Sequence, residues 1–272
     1  MKSENLIEFV LQFQENDPAN RIAADFAKNP EYIGKKMLDG VLLGVAAADD
    51  PVIVSLKDNK EANTDLMMPE EWLPGAKSVI SFFFPFAHWI AEENAGGDYP
   101  SDAWLHARIE GQEAINRISH MLVERIRGEG YEAVSPSIDP RFKVYYRSND
   151  TDGPKYTSNW SERHIAYAAG LGTFSMSRSF ITERGCSGRF TSIITNLLLP
   201  VSSRKYGGLY ENCTFCEACV DVCISNAIPK GGLKDHVPCD AMIKKIMKNE
   251  DPYYGCGKCQ CGMPCSYGIP GR

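Results

Sequence analysis

Nine of the chain's ten cysteines fall between residues 213 and 265. The first four, Cys213, Cys216, Cys219 and Cys223, follow the spacing C-x2-C-x2-C-x3-C. Thiolates are soft ligands that suit iron–sulfur clusters, and this is the cysteine run of bacterial ferredoxins. Such a short loop wraps three thiolates round one cube, while the fourth, on a following helical turn, points to a second. The second cube then needs three more thiolates, and the first needs one from far along the chain. Cys239, Cys256, Cys259 and Cys265 are available for those four places. The crossed assignment gives one cluster Cys213, Cys216, Cys219 and Cys265, and the other Cys223, Cys239, Cys256 and Cys259. Cys261 lies inside the last group and competes with Cys259 and Cys265, and Ile224 stands where proline usually follows the fourth cysteine. Structural zinc sites present two separated pairs instead, and disulfides need an oxidising compartment.

The elements that must carry these thiols follow from length and pattern. The 272 residues are 43% hydrophobic and 24% charged, enough for one sizeable core with a small appended module. A net charge of -6 argues against a broad nucleic-acid surface, although it is compatible with a local basic patch, and a nucleic-acid partner is not expected. The amino terminus carries acids among its apolar residues and lacks a secretory pattern or a twin-arginine pair. The longest greasy stretch, VISFFFPFAHWIA, is too short for a bilayer. The expectation is a cytoplasmic protein without a membrane partner, from an anaerobic or strongly reducing setting.

Leu6, Phe9, Val10 and Phe13 make one face of a helix over 4–15. Asp17-Pro18 reads as the start of a second helix running to Asn29, and a third is expected to end at Gly40. Residues 41–48 and the run from Lys77 read as strands, the latter deeply buried. Residues 104–127 form a long amphipathic helix, with Leu105, Ile109, Ile118, Leu122 and Ile126 at helical spacing. YEAVSPS and RFKVYYRS are strand candidates. Asn159 and Glu162 read as a capping box for the helix before Gly170, which suits a left-handed closing position. FITERGCSGRFTSIITNLLLP reads as a hairpin. Cys186 reads as a spare thiol and His164 as packing. His236 is a poor ligand candidate beside eight cysteines. Lys244, Lys245 and Lys248 form a solvated face that could also steer an acidic electron donor. No G-x-G-x-x-G follows a strand, and no P-loop, H-E-x-x-H or G-x-S-x-G is present.

The combination ERHIAYAAGLGTFSMSRSFITERG, SIITNLLLP and the double cysteine tail resembles the epoxyqueuosine reductases and, more distantly, the reductive dehalogenases. WLPGAKSVISFFFPF matches the same family's strand after its turn, so the similarity spans about residues 40 to 268. The resemblance implies an α+β protein: a nitroreductase-like α/β domain binding cobalamin, residues 1–205, then a small ferredoxin-like domain with two 4Fe-4S clusters, residues 206–272. Carried over by position, Gly172, Phe174, Ser175, Phe180, Thr182 and the backbone around Gly257 would hold the corrin. Read by themselves, Phe174 and Phe180 are core residues, and Gly170 and Gly172 serve turn geometry. No D-x-H-x-x-G motif offers the cobalt a histidine.

Two departures stand out. Thr173-Phe174-Ser175-Met176 replaces the family's WIGK-type stretch. Its catalytic aspartate falls, counted without gaps, on Tyr156, while a small gap brings Asp150 or Asp152 into that role. A phenol with a pKa near ~10 stays protonated at neutral pH and can release its proton to a developing anion. The implied activity is a reductase. A ferredoxin or flavodoxin would pass single low-potential electrons through the two clusters to cobalamin, which would reduce an unidentified small-molecule substrate. A tRNA base is disfavoured by the acidic charge and by the chain's end just after the cysteines. The alternative is an electron-transfer or corrinoid-reducing protein with no substrate of its own, and a third reading puts a flavin in the larger domain.

Overall fold

The computed structural model describes residues 2–58, 65–146 and 156–271. Eight strands follow in chain order: β1 (Leu42–Ala47), β2 (Ser78–Pro85), β3 (Ala133–Val134), β4 (Val144–Tyr146), β5 (Tyr156–Ser158), β6 (Gly172–Phe174), β7 (Phe180–Thr182) and β8 (Gly188–Thr195). The α-helices are α1 (Ser3–Asn16), α2 (Pro51–Asp58), α3 (Pro69–Trp72), α4 (His88–Ala95), α5 (Asp102–Gly128), α6 (Glu162–Ala168), α7 (Ala218–Asp221) and α8 (His236–Glu250).

All eight residues of β2 are buried, as its unbroken apolar run requires of a central strand. It pairs antiparallel with β1 on one side and β8 on the other, and β3 joins the far edge of β8. Side chains alternate across the sheet. Ile80, Phe82 and Phe84 enter a core shared with Ile115, Ile118 and Leu122 of α5. Val79 and Ile194 meet Ile165 and Ala168 of α6 on the other face, and Phe83 meets Ala166. Helices thus cover both faces of an antiparallel sheet, a mixed α and β fold. The paired serines Ser81 and Ser192 interrupt the α6 face and leave a polar notch within it.

Helix α5 begins where Ser101 Oγ accepts the Trp104 backbone N–H, two residues before the expected start. Helix α6 ends on Gly170 at φ +82°, the left-handed position anticipated for it. Other expectations give way to tertiary contacts. The two helices expected over 18–40 shrink to short 3-10 turns at Pro18–Asn20 and Pro30–Tyr32. The buried Asn20 amide donates to Gln14 O and Leu38 O and accepts the Leu38 N–H, which ties the chain into an irregular path. YEAVSPS contributes only β3 before a 3-10 turn at Pro136–Ile138. The expected hairpin is not one, because β7 pairs with β6 while β8 enters the main sheet.

Beyond residue 205 the described residues hold no strand. There Cys219 lies in α7 and Cys239 in α8, and the other cysteines sit before α7, between the two helices and after α8. No helix among the described residues is long and apolar enough to cross a membrane. Phe82→Ala should lower stability by about 3–5 kcal/mol, read from urea unfolding under anaerobic conditions. Val144→Ala on an exposed strand should change it by about 0.5 kcal/mol or less.

Candidate functional site

The loop after residue 212 coils tightly. Phe215 and Glu217, on either side of Cys216, are both left-handed, at φ 51° and 60°. Non-glycine residues adopt that conformation at a cost, and here it turns successive thiols toward one place. The buried thiol of Cys219 is pushed up to about 12 by burial and by the neighbouring Cys259, Cys265, Cys213 and Cys216. Near the start of α8, Cys239 has Cys259 and Cys223 as thiol neighbours. Cys256 has Cys259 and Cys239, and burial with these thiols pushes it up to about 11. The fold therefore gathers two groups, with Cys259 at the seam between them. Among the described residues, no three His, Cys, Asp or Glu side chains converge as tightly as a single metal ion requires. A 4Fe-4S cube is a larger object and holds its thiolates apart.

The remaining two cysteines differ. Cys261 is buried in the main core, where Asn94 donates to its sulfur at 3.4 Å. Cys186, at the corner between β7 and β8, donates its backbone N–H to Cys265 O at 3.0 Å. Its sulfur lies 3.9 Å from that of Cys265. The residue read as a spare thiol thus stands beside the cysteine groups, brought there by a chain reversal that local sequence does not encode.

A cavity of about 390 Å³ opens here, and Cys223, Cys239, Cys256 and Cys259 all line it. So do the aromatic rings of Phe86, Trp104, Phe180 and Phe190. Six cations, Arg108, Arg163, Arg178, Arg189, Lys234 and Lys258, share the lining with one carboxylic acid, Glu162. A chain of net charge -6 therefore places its positive charge locally. Gly257, at φ +65°, also lines the cavity, and a Cβ there would lie 1.9 Å from the Trp104 ring. The backbone must pass this close to the indole, so no side chain fits.

Of the six residues carried over as corrin-binding, Phe180 and Gly257 line this cavity. Gly172 lines a separate cavity of about 170 Å³ and packs so tightly that a Cβ would lie 2.0 Å from Ile181 O. Phe174 packs on His164 and Phe180, while Ser175 shares hydrogen bonds with Ser177 and Ser179. Thr182 Oγ1 donates to Gly185 O at 2.8 Å. Tyr156 opens β5, opposite Tyr146. Asp150 and Asp152 lie outside the described residues.

Sequence patterning missed Glu162 as a site residue by reading it as half of a capping box. Asn159 instead accepts the Lys143 N–H and donates to Arg141 O, and the N-cap is Ser161. Glu162 is partly exposed as a residue, yet both carboxylate oxygens are buried and have no hydrogen-bond partner among the described residues. Trp104 Nε1, in the same cavity wall, is likewise buried without an acceptor. Burial pushes the Glu162 carboxyl up to about 7, opposed by the nearby Ser192 hydroxyl, which itself accepts Trp160 Nε1. Burial and then Arg163 push His164 down to about 4, leaving it neutral at pH 7. Two unpaired polar groups, a glycine cradle and an aromatic wall fit a cavity meant to hold a ligand.

A carboxyl that binds its proton more tightly when folded stabilises the fold fully below its unfolded value of 4.5, and that stability is lost as pH rises through about 7. Relative to Glu162→Gln, the parent should lose on the order of 3 kcal/mol between about pH 4.5 and pH 8, read from paired urea midpoints. His164 acts with the opposite sign, losing stability as pH falls from 6.5 toward 4, and cancels because both proteins keep it.

No family model matches the chain. An epoxyqueuosine reductase from Bacillus cereus is 28% identical over 218 residues, covering 74% of this chain and 51% of the relative. The chain thus spans about half the length of the curated relative. A crystal structure of an epoxyqueuosine reductase superposes with a TM-score of 0.53 at 17% identity, over 99% of this chain and 66% of that one. A catabolic reductive dehalogenase gives 0.55 at 18% identity, over 98% and 37%. Another epoxyqueuosine reductase structure holds an epoxyqueuosine-modified tRNA stem loop (TM-score 0.46, 16% identity, 87% and 64% coverage). The expectation of a small-molecule substrate with no nucleic-acid partner is corrected by the curated relative, which is named for the nucleoside epoxyqueuosine. Net charge averages over the surface, whereas the cavity lining is basic. In sequence the chain resembles the epoxyqueuosine reductases, and its fold resembles both those enzymes and the reductive dehalogenases.

Proposed function

We propose that this chain is an iron–sulfur reductase that works with a corrinoid and acts on a modified base of the epoxyqueuosine kind carried in tRNA. One observation carries the reading. All four thiols of the second cysteine group line the same cavity as the aromatic wall and the buried acid, so electrons held there would reach the cavity without crossing the fold.

In this reading residues 206–272 form a ferredoxin-like module with two 4Fe-4S clusters. Cys213, Cys216, Cys219 and Cys265 hold the outer cluster, and Cys223, Cys239, Cys256 and Cys259 hold the one at the cavity. The exposure of Cys216 favours electron entry from a low-potential donor at the outer cluster. Residues 1–205 form the nitroreductase-like lobe. Phe180, the Gly257 backbone and Trp104 would hold the corrinoid, which supplies a strongly nucleophilic reduced metal. A whole corrinoid exceeds 390 Å³ and would extend beyond these walls. The cations around the cavity suit the phosphates that an RNA substrate brings. Tyr156, or Asp150 on the adjoining segment, serves as a proton donor to the reduced base.

Anaerobic reconstitution with iron, sulfide and hydroxocobalamin should give about eight irons and one corrinoid per chain. The loaded protein, given a low-potential reductant, should convert an epoxyqueuosine-bearing tRNA stem loop. Cys239→Ser should lose about four irons, while Cys186→Ser and Cys261→Ser keep all eight. Full iron with no corrinoid and no conversion would favour an electron-transfer protein instead.

A further inference from the structure

A reduction that adds two electrons and leaves a neutral product also takes up two protons. A loop donor near Tyr156 accounts for one. The second needs a group that stays protonated at neutral pH, sits at the cavity and can be recharged from solvent.

The cavity offers one carboxyl, and its setting is costly. An ionised carboxylate with no partner is strongly disfavoured away from water, so Glu162 rests as the neutral acid. Structure gains little from it: among the described residues it makes no N-cap bond, pairs with no cation, and only Ser192 in the notch lies near its buried oxygens. The notch opposite, made by Ser81 and Ser192, supplies hydroxyls but no charge. Strands β1, β2 and β6, which pack against α6, bring no charged side chain at all. Arg189 on β8 shares the cavity lining but donates to Gln112. Arg163 on α6 donates to Arg178 O, and Lys258 to Asn94 O and Gly96 O. Arg108, Arg178 and Lys234 line the same space, as do the thiols of the second cysteine group. His164 turns away, toward Ser161 and the Phe174 ring.

We propose that Glu162 is the proton store of the cavity and supplies one of the two protons that the reduction consumes. This rests on the reductase reading and deepens it. The residue lines the cavity, and the proposed transfer requires the carboxyl to turn from the notch toward that space. Two electrons arrive singly from the low-potential donor. As the two electrons enter, a substrate C–O bond breaks and its electron pair stays on oxygen. The O–H bond of Glu162 breaks as an O–H bond forms there. The second donor's proton lets that oxygen leave as water when its remaining C–O bond breaks, and the Glu162 carboxylate is reprotonated from solvent. Burial, opposed by Ser192, raises the carboxyl to about 7, so it exchanges its proton near neutrality and holds it more fully below.

The test compares reconstituted parent, Glu162→Gln and Glu162→Asp on three readouts: iron and corrinoid content, the pH profile of stem-loop reduction, and the infrared carbonyl band of a protonated carboxyl. Glu162→Gln should keep parental cofactor content, lose turnover by about 100-fold or more, and lack a carboxyl band that titrates in the parent near neutral pH. Glu162→Asp should restore part of the turnover, with a displaced pH profile. Parental turnover and pH profile in Glu162→Gln would overturn the proposal, as would loss of iron or corrinoid in both variants, which marks a structural role. If the parent itself fails to reduce the stem loop, the reductase reading fails separately. The infrared band then decides: its presence in the parent and absence from Glu162→Gln upholds the stored proton, and an unchanged band overturns it.

Discussion

Crowded thiols repel one another once ionised, and a fold that gathers eight of them must supply cations or keep them protonated. This constraint organises the final third of the chain. Burial and mutual proximity raise Cys219 and Cys256, a state that bound iron would relieve by taking the thiolates as ligands. The local backbone is shaped to the same end. Left-handed residues flank Cys216, and Gly257 follows Cys256 where no Cβ can pass the Trp104 ring.

The same logic of compensated cost extends to the cavity. The sheet face beneath α6 is apolar except for Ser81 and Ser192, and Glu162 is set against that exception. Around it the lining is cationic in a chain whose total charge is negative. Thiols, an aromatic wall, a buried carboxyl and basic side chains are thus placed together by elements far apart in sequence: β2, α5, α6, β8 and the cysteine loops.

Much of this was legible in the residues. The spacing of Cys213 to Cys223 announced a gathering of thiols, the unbroken apolar run of β2 announced a central strand, and the periodicity of α5 located a long helix to within two residues. What failed did so for tertiary reasons. The helices expected between residues 18 and 40 yielded to one buried side chain, Asn20, which bonds to backbone 18 residues away. The hairpin failed because the apolar β8 is worth more in the centre of the sheet than beside the three-residue β7. Glu162 has the spacing of a cap, and only the packing of α6 on the sheet turns it inward. Cys186 looked isolated because its neighbour, Cys265, is 79 residues away. Of the six carried-over cofactor positions, Phe180 and Gly257 line the large cavity, while Gly172 lines a smaller one and Phe174, Ser175 and Thr182 make packing and turn contacts.

The claim on which the account rests is that two cubes sit close together, one of them at the cavity. Electron paramagnetic resonance of the iron-loaded, fully reduced chain tests it directly. The account predicts the broadened spectrum of two magnetically interacting 4Fe-4S clusters. A spectrum from one isolated cluster, or a chain that retains no iron, would contradict it.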